Sequence, residues 1–233
     1  MSERLARSAG LIGVGTLASR VLGLVRDSLL ARYFGAGDVM DAYRVATRIP
    51  TLLRELFAEG AMSAAFVPTF TRSLTKGGKP AAWRLGSLVV NTLLVVTGVV
   101  VVLAFAFAGP LTRLYAPEYA AVPGKLELTA SLTRITLPFL TLVALAAAFM
   151  GMLNALRRFF IPAFSPTMFN VVLIVSTVVS AWLAPRFGFS AITGVACGFV
   201  AGGFAQMAVQ WPALRREGYV HQWTFDLKDP GLR

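Results

Sequence analysis

The 233-residue chain is 56% hydrophobic and only 14% charged, against roughly 25% charged residues in a soluble domain, which excludes a water-soluble globule and makes it an integral membrane protein. Its 22 Lys and Arg against 11 Asp and Glu give a net charge of +11. Because the basic residues sit at helix ends or inside apolar segments, they point to anionic membrane lipid as partner and away from nucleic acid. The single Cys197 excludes an internal disulfide and a cysteine metal cluster.

Six transmembrane helices are predicted, at about 8–34, 39–72, 84–109, 130–156, 161–184 and 189–214, in an all-α polytopic domain over residues 1–216. The stretches 85–112, 135–156, 159–185 and 187–214 contain no Lys, Arg, Asp or Glu, and ~20 apolar residues suffice to cross the hydrocarbon core. In the first span Arg20 interrupts the apolar run directly after Ser19, so no cleavable signal peptide is expected. The second span is too long for a straight crossing; Pro50 and Gly60 are expected to bend or break it, with its last turns along the membrane surface. The loop at about 110–129, with Pro110, Pro117, Pro123, Glu118 and Glu127, reads as a polar turn or short surface helix. Pro138 in the fourth span, and Pro162 and Pro166 in the fifth, mark either plain kinks or the broken helices that form transporter sites. Asn170 either lines a cavity or bonds a neighbouring helix. Gly194, Gly198 and Gly202 form a small-residue stripe for close helix contact on the sixth span.

From residue 217 to 233 the chain becomes polar, through Glu217, His221, Asp226, Lys228, Asp229 and Pro230, and reads as a cytoplasmic linker to something further on. Loop charge sets the orientation. One side gathers Arg72, Lys76, Lys79, Arg84, Arg157, Arg158, Arg215 and Arg216, while the other has Arg113, Lys125 and Arg186. The positive-inside rule then places both termini in the cytoplasm.

The first two spans differ from the rest in charge. Asp41, Arg44, Arg48, Glu55 and Glu59 recur at spacings of 3, 4, 7 and 4, within an arc of about 60° on one helix face. On the first span Arg20 and Asp27 share a face, with Ser19 and Arg26 at its edge. A charge at the bilayer centre costs from ~3 to more than 10 kcal/mol depending on method, so these faces meet each other or water. One outcome is neutral pairing: Arg20 with Asp27 or Asp41, Arg48 with Glu55, Arg54 with Glu59. The other is a hydrated cavity whose guanidinium groups await an anionic head group, since arginine suits bidentate capture of phosphate oxygens. The chain has no phosphate-binding Gly-rich loop, no nucleophile with a histidine partner and no metal-ligand cluster, so neither catalysis nor a cofactor or metal is expected.

The segments ASRVLGLVRDSLLARYFGAGDVMDAY (18–43), RIPTLLRELFAEGAMSAAFVPTF (48–70) and LNALRRFFIPAFSPTMFNV (153–171) closely resemble the MurJ (MviN) lipid II flippase family. That family belongs to the multidrug/oligosaccharidyl-lipid/polysaccharide exporter superfamily. The resemblance implies a carrier of the bacterial inner membrane that moves undecaprenyl-diphosphate-linked peptidoglycan precursor, lipid II, to the outer leaflet. It implies two helical lobes around a cationic cavity, this chain supplying the N-terminal six-helix lobe. A C-terminal lobe or second chain then stands as partner beside lipid II and membrane lipids. Arg20, Arg26 and Arg54, with Ser19, match positions that hold the diphosphate. Asp41, Arg48 and Glu59 match other charged cavity positions; Asp27, Arg44 and Glu55 join them as cavity or gating charges, and Asn170 as a lining candidate. Export of another polyprenyl-diphosphate-linked glycan, or a non-transporting membrane scaffold, are the alternatives.

Overall fold

The computed structural model describes residues 2–55 and 65–225. The elements are α1 (Ser2–Phe34), α2 (Asp38–Arg54), α3 (Val67–Ala106), α4 (Ala108–Tyr115), a 3₁₀ turn (Pro117–Ala121), α5 (Lys125–Thr136), α6 (Phe139–Ala155), α7 (Phe160–Phe187), α8 (Ala191–Ala208) and α9 (Trp211–Arg216). Among the described residues there is no strand. Four helical segments are long and apolar enough to cross a bilayer: Val67–Ala106, Lys125–Ala155, Phe160–Phe187 and Ala191–Arg216. They contain the last four predicted spans. α1 and α2 are helices at the first two; α2, with 17 residues, is shorter than the ~20 that a crossing takes. Length and apolarity among the described residues thus support four of the six expected crossings.

Element boundaries move for local reasons. α2 passes through Pro50 without a break and ends at Arg54, while Gly60 lies outside the described residues. α3, from Val67 to Ala106, is two helices that meet between the expected end at 72 and the expected start at 84. Its sharp kink is at Gly78 (φ 69°, ψ −172°), a conformation that only a residue without Cβ adopts freely. Pro80 follows two residues later, in the first turn of the continuing helix, where its missing N–H is no loss. The fourth span starts at Lys125, earlier than expected, and is interrupted at Leu137 and Pro138 between α5 and α6.

Packing pairs α7 with α8, α1 with α7, α2 with α5, and α3 with α6. The glycine stripe of α8 makes the first of these contacts. A Cβ on Gly198 would overlap the Ser176 side chain, and one on Gly202 would lie 3.0 Å from the Phe169 carbonyl oxygen. One apolar cluster gathers Phe70, Trp83, Phe149, Met152, Leu214 and Tyr219. A second joins Met40, Tyr43, Phe139, Leu173, Val195 and Phe199.

The expected linker starts as a docked strap. Arg158 Nε donates to Glu217 Oε1 at 2.7 Å, and Lys79 Nζ donates to the Glu217 carbonyl at 2.8 Å and to Oε2 at 3.3 Å. Tyr219 is fully buried, with its ring 5.3 Å from Trp83 and 5.8 Å from Trp211.

Two outcomes follow from this packing. Gly198→Val should lower the thermal unfolding midpoint in detergent, at a cost of about 1–3 kcal/mol for overpacking. Gly98→Ala, where a Cβ meets open space, should leave it unchanged; equal losses in both would remove the close-contact role. The Arg158 guanidinium, followed by Lys79, holds the Glu217 carboxyl below the usual carboxylate range. Its contribution is therefore complete near neutral pH and is lost as pH falls through the lowered folded-state value. The stability gap between the wild-type protein and Glu217→Gln should be widest at pH 7 and close on acidification, as read by thermal unfolding at stepped pH.

Candidate anion-binding cavity

Because α1 leans on α7 while α2 leans on α5, their charged sides are held apart across a cavity of about 920 Å³. α6 and α8 complete its walls. At the end near the α1–α2 turn the lining is apolar, with Leu30, Met40, Phe139, Leu173 and Phe199. Toward the other end it becomes polar, with Arg48, Thr51, Ser165 and Gln206. Arg26, Asp27, Arg44 and Asn170 stand between these regions. Among the described lining residues three guanidinium groups thus face one carboxylate, with Glu55 outside the lining as a second partner of Arg48, a surplus that suits an anion.

Arg26 is the most constrained of the three. Its Nη1 donates to Asn170 Oδ1 at 2.9 Å and its Nε to Asp27 Oδ1 at 2.9 Å. Its Cζ lies 6.0 Å from the Phe169 ring centroid, and its side chain is 26% exposed. The Asn170 amide is used on both sides, because its Nδ2 donates to the Ser19 carbonyl at 2.9 Å and to Ser19 Oγ at 3.4 Å. α1 is thereby positioned on α7 by the same side chain that aims Arg26. The Ser19 oxygens serve Asn170, and the cavity lining begins one turn and more beyond them.

The other expected residues divide. Arg44 and Arg48 line the cavity. Arg48 also reaches Glu55 at 3.3 Å, so that expected pair is present. Arg20 is exposed and outside the lining. Asp27 is paired with Arg26, not Arg20. Asp41 turns away from the cavity: together with Asp38 it holds Lys125, at 3.0 and 2.8 Å, so its expected pairing with Arg20 is replaced. Lys125 starts α5 and is buried, and its ammonium also lies 4.1 Å from the Tyr119 ring centroid. The Arg54 side chain and Glu59 lie outside the described residues.

Several lining residues were not anticipated. Thr47 and Thr51 continue the α2 stripe one helical step at a time between and beyond Arg44 and Arg48, and both hydroxyls donate to carbonyls of their own helix. Gln206 lies in the charge-free run 187–214, where an amide is the visible signal. Lys125 is brought to α2 by tertiary structure alone. Among the described residues no three His, Cys, Asp or Glu side chains converge to hold a metal.

Asn170→Leu removes the acceptor of Arg26 and the donor to Ser19. The loss should be about 1–3 kcal/mol, as for a hydrogen-bonded group at a charged partner, measured by thermal unfolding. A midpoint equal to wild type would mean that this amide does not tie α1 to α7.

Known proteins extend the picture. Residues 30–233 match a family model described as lipid II flippase MurJ. A probable lipid II flippase MurJ of Vibrio cholerae is 35% identical over 240 residues, covering 100% of this chain and 45% of the relative. The corresponding protein of Rhizobium meliloti is 34% identical over 216 residues, covering 92% and 40%, and that of Thermotoga maritima 37% over 199 residues, covering 85% and 39%. A solved structure of lipid II flippase MurJ in an inward closed conformation superposes with a TM-score of 0.73 at 28% identity, covering 95% of this chain and 45% of that one. The chain spans less than half the length of these relatives. On the match over residues 30–233 and the agreement of fold, this integral membrane protein belongs to the MurJ lipid II flippase family.

Proposed function

We infer that this chain forms one lobe of a carrier that moves lipid II from the cytoplasmic to the outer leaflet of the bacterial inner membrane. The observation that carries the reading is the cavity between α1 and α2, where, among the described lining residues, Arg26, Arg44 and Arg48 outnumber the one carboxylate of Asp27. A diphosphate supplies the oxygens that guanidinium forks bind in pairs, while the polyprenyl tail stays in lipid. Arg26 is aimed by a neutral amide and shared with the largely exposed Asp27, so an incoming diphosphate can take the place of Asp27 without moving the arginine. Arg20 and Arg54 would add to the same charge, as the family resemblance implies.

Transport needs that charge to be balanced when the site is empty. Asp27 supplies the balance at Arg26, and Glu55 at Arg48. Asp41 acts in this scheme from the end of the cavity, through Lys125, and Glu59 remains a gating candidate from the resemblance. The basic cluster of Arg72, Lys76, Lys79, Arg84, Arg157, Arg158, Arg215 and Arg216 favours cytoplasmic placement of both ends of the lobe. The relatives are more than twice as long, which supports a further lobe, in the same polypeptide or another, as the opposing wall. The work is binding and release, with no bond made or broken.

The test is charge reversal in the full-length protein. Arg26→Glu should fail to support growth of cells depleted of their lipid II flippase and should abolish lipid II movement in those cells. Wild-type growth and movement at equal expression would overturn the reading.

A further inference from the structure

Between Glu217 and Phe225 the chain leaves α9 and follows α3 in an irregular path. Its contacts climb α3 in order: Glu217 at Lys79, Tyr219 at Ser87, then Gln222 and Thr224 at Asn91. Asn91 stands seven residues beyond Arg84, the last charged residue before the charge-free part of α3. That is about 10 Å at 1.5 Å per residue, and the interfacial layer of each leaflet is only about 5–8 Å thick. The far end of the strap therefore reaches the edge of the hydrocarbon.

Irregular backbone survives at that depth only where protein satisfies its polar groups. Asn91, the one amide in the charge-free run 85–112, pairs two of this backbone's carbonyls. Its Nδ2 donates to the carbonyls of Gln222 at 2.9 Å and Thr224 at 2.8 Å. The Gln222 N–H donates to Ser87 Oγ at 3.2 Å, and the Thr224 N–H to the Gln222 carbonyl at 2.9 Å. The side chains then divide by environment. Tyr219 is buried against Trp83 and Trp211, whereas Val220, Trp223 and Phe225 are 59%, 72% and 61% exposed. Leu94 and Val95, the next turn of α3 beyond Asn91, are exposed as well. Three large apolar groups on a backbone held at membrane depth match the apolar side, rich in Trp, Phe and Leu, that interfacial segments turn into a bilayer. Lys79, Arg215 and Arg216 at the start of the strap stand at head-group level, where anionic lipid is attracted.

We propose that residues 217–225 form an interfacial strap, sewn onto α3 by Asn91 and Ser87, whose Val220, Trp223 and Phe225 side chains bind the phospholipid layer. The strap is a lipid-binding surface in its own right and does not depend on what the cavity carries. It gives Asn91 a purpose that the cavity does not use.

Spin labels at positions 220, 223 and 225, placed singly in the full-length protein with Cys197→Ala, test this without touching the buried contacts. In nanodiscs of phosphatidylethanolamine and phosphatidylglycerol, all three should collide more with oxygen than with a water-soluble nickel chelate. A label at Val95 should behave likewise, and one at Lys76 the reverse. Asn91→Leu, which removes both carbonyl bonds, should invert the ratio at 223 and 225 while leaving Val95 unchanged. Nickel-favoured labels in the Asn91 background overturn the proposal. So do immobile labels that neither reagent reaches, since they would give this face to a protein neighbour. Neither result bears on lipid II transport, which the Arg26→Glu experiment decides separately.

Discussion

A charged group placed among apolar helices must find a partner or water at every moment, and the arrangement of α1 answers that requirement at Arg26. Packed directly on α2, α1 would press arginine faces together. Packed on α7, it leaves a chamber, and one amide at Asn170 both seats the helix through Ser19 and steadies the guanidinium through its own oxygen. The glycine contact between α7 and α8 supports this from behind, because α7 can be a wall only if α8 lies close against it. Cavity, helix packing and electrostatics are consequences of the same need to keep cations wet inside a dry bundle.

Much of this is legible in the sequence, and the failures have physical causes. Charge-free runs of more than 20 residues locate the apolar helices, because length and hydropathy are local properties. The 3.6-residue period of α2 puts Arg44 and Arg48 on one face, and both line the cavity. The same period also included Asp41, which goes elsewhere. Its partner Lys125 lies 84 positions along the chain, and periodicity carries no information about which distant residue arrives opposite. Of the bend expected at Pro50 and Gly60, the Pro50 part is absent from α2, while Gly78 followed by Pro80 gives the positive φ and fresh helix start between the expected second and third spans. Asn170 stood out as an amide in an apolar run, and Asn91 stands out for the same reason; only the fold reveals that one serves a cation and the other an irregular backbone.

The two amides do comparable work at two places. Each sits in a charge-free run of its helix, and each binds main-chain oxygen of a separate segment. Asn170 joins α1 to α7, and Asn91 joins the 217–225 segment to α3. In lipid, where apolar surface gives no preference among neighbours, such bonds and close small-residue contacts are what select one packing over another.

The clasp at Lys125 has a consequence for the whole chamber. Two carboxylates on one ammonium leave an excess negative charge beside the apolar end, while the middle and far regions carry the opposite excess. Charge is thus unevenly spread along the chamber, with the clasp's surplus carboxylate beside one end and Arg26, Arg44 and Arg48 at its middle and its polar end. Within this lining an anion is attracted at Arg26, Arg44 and Arg48 and repelled at the clasp.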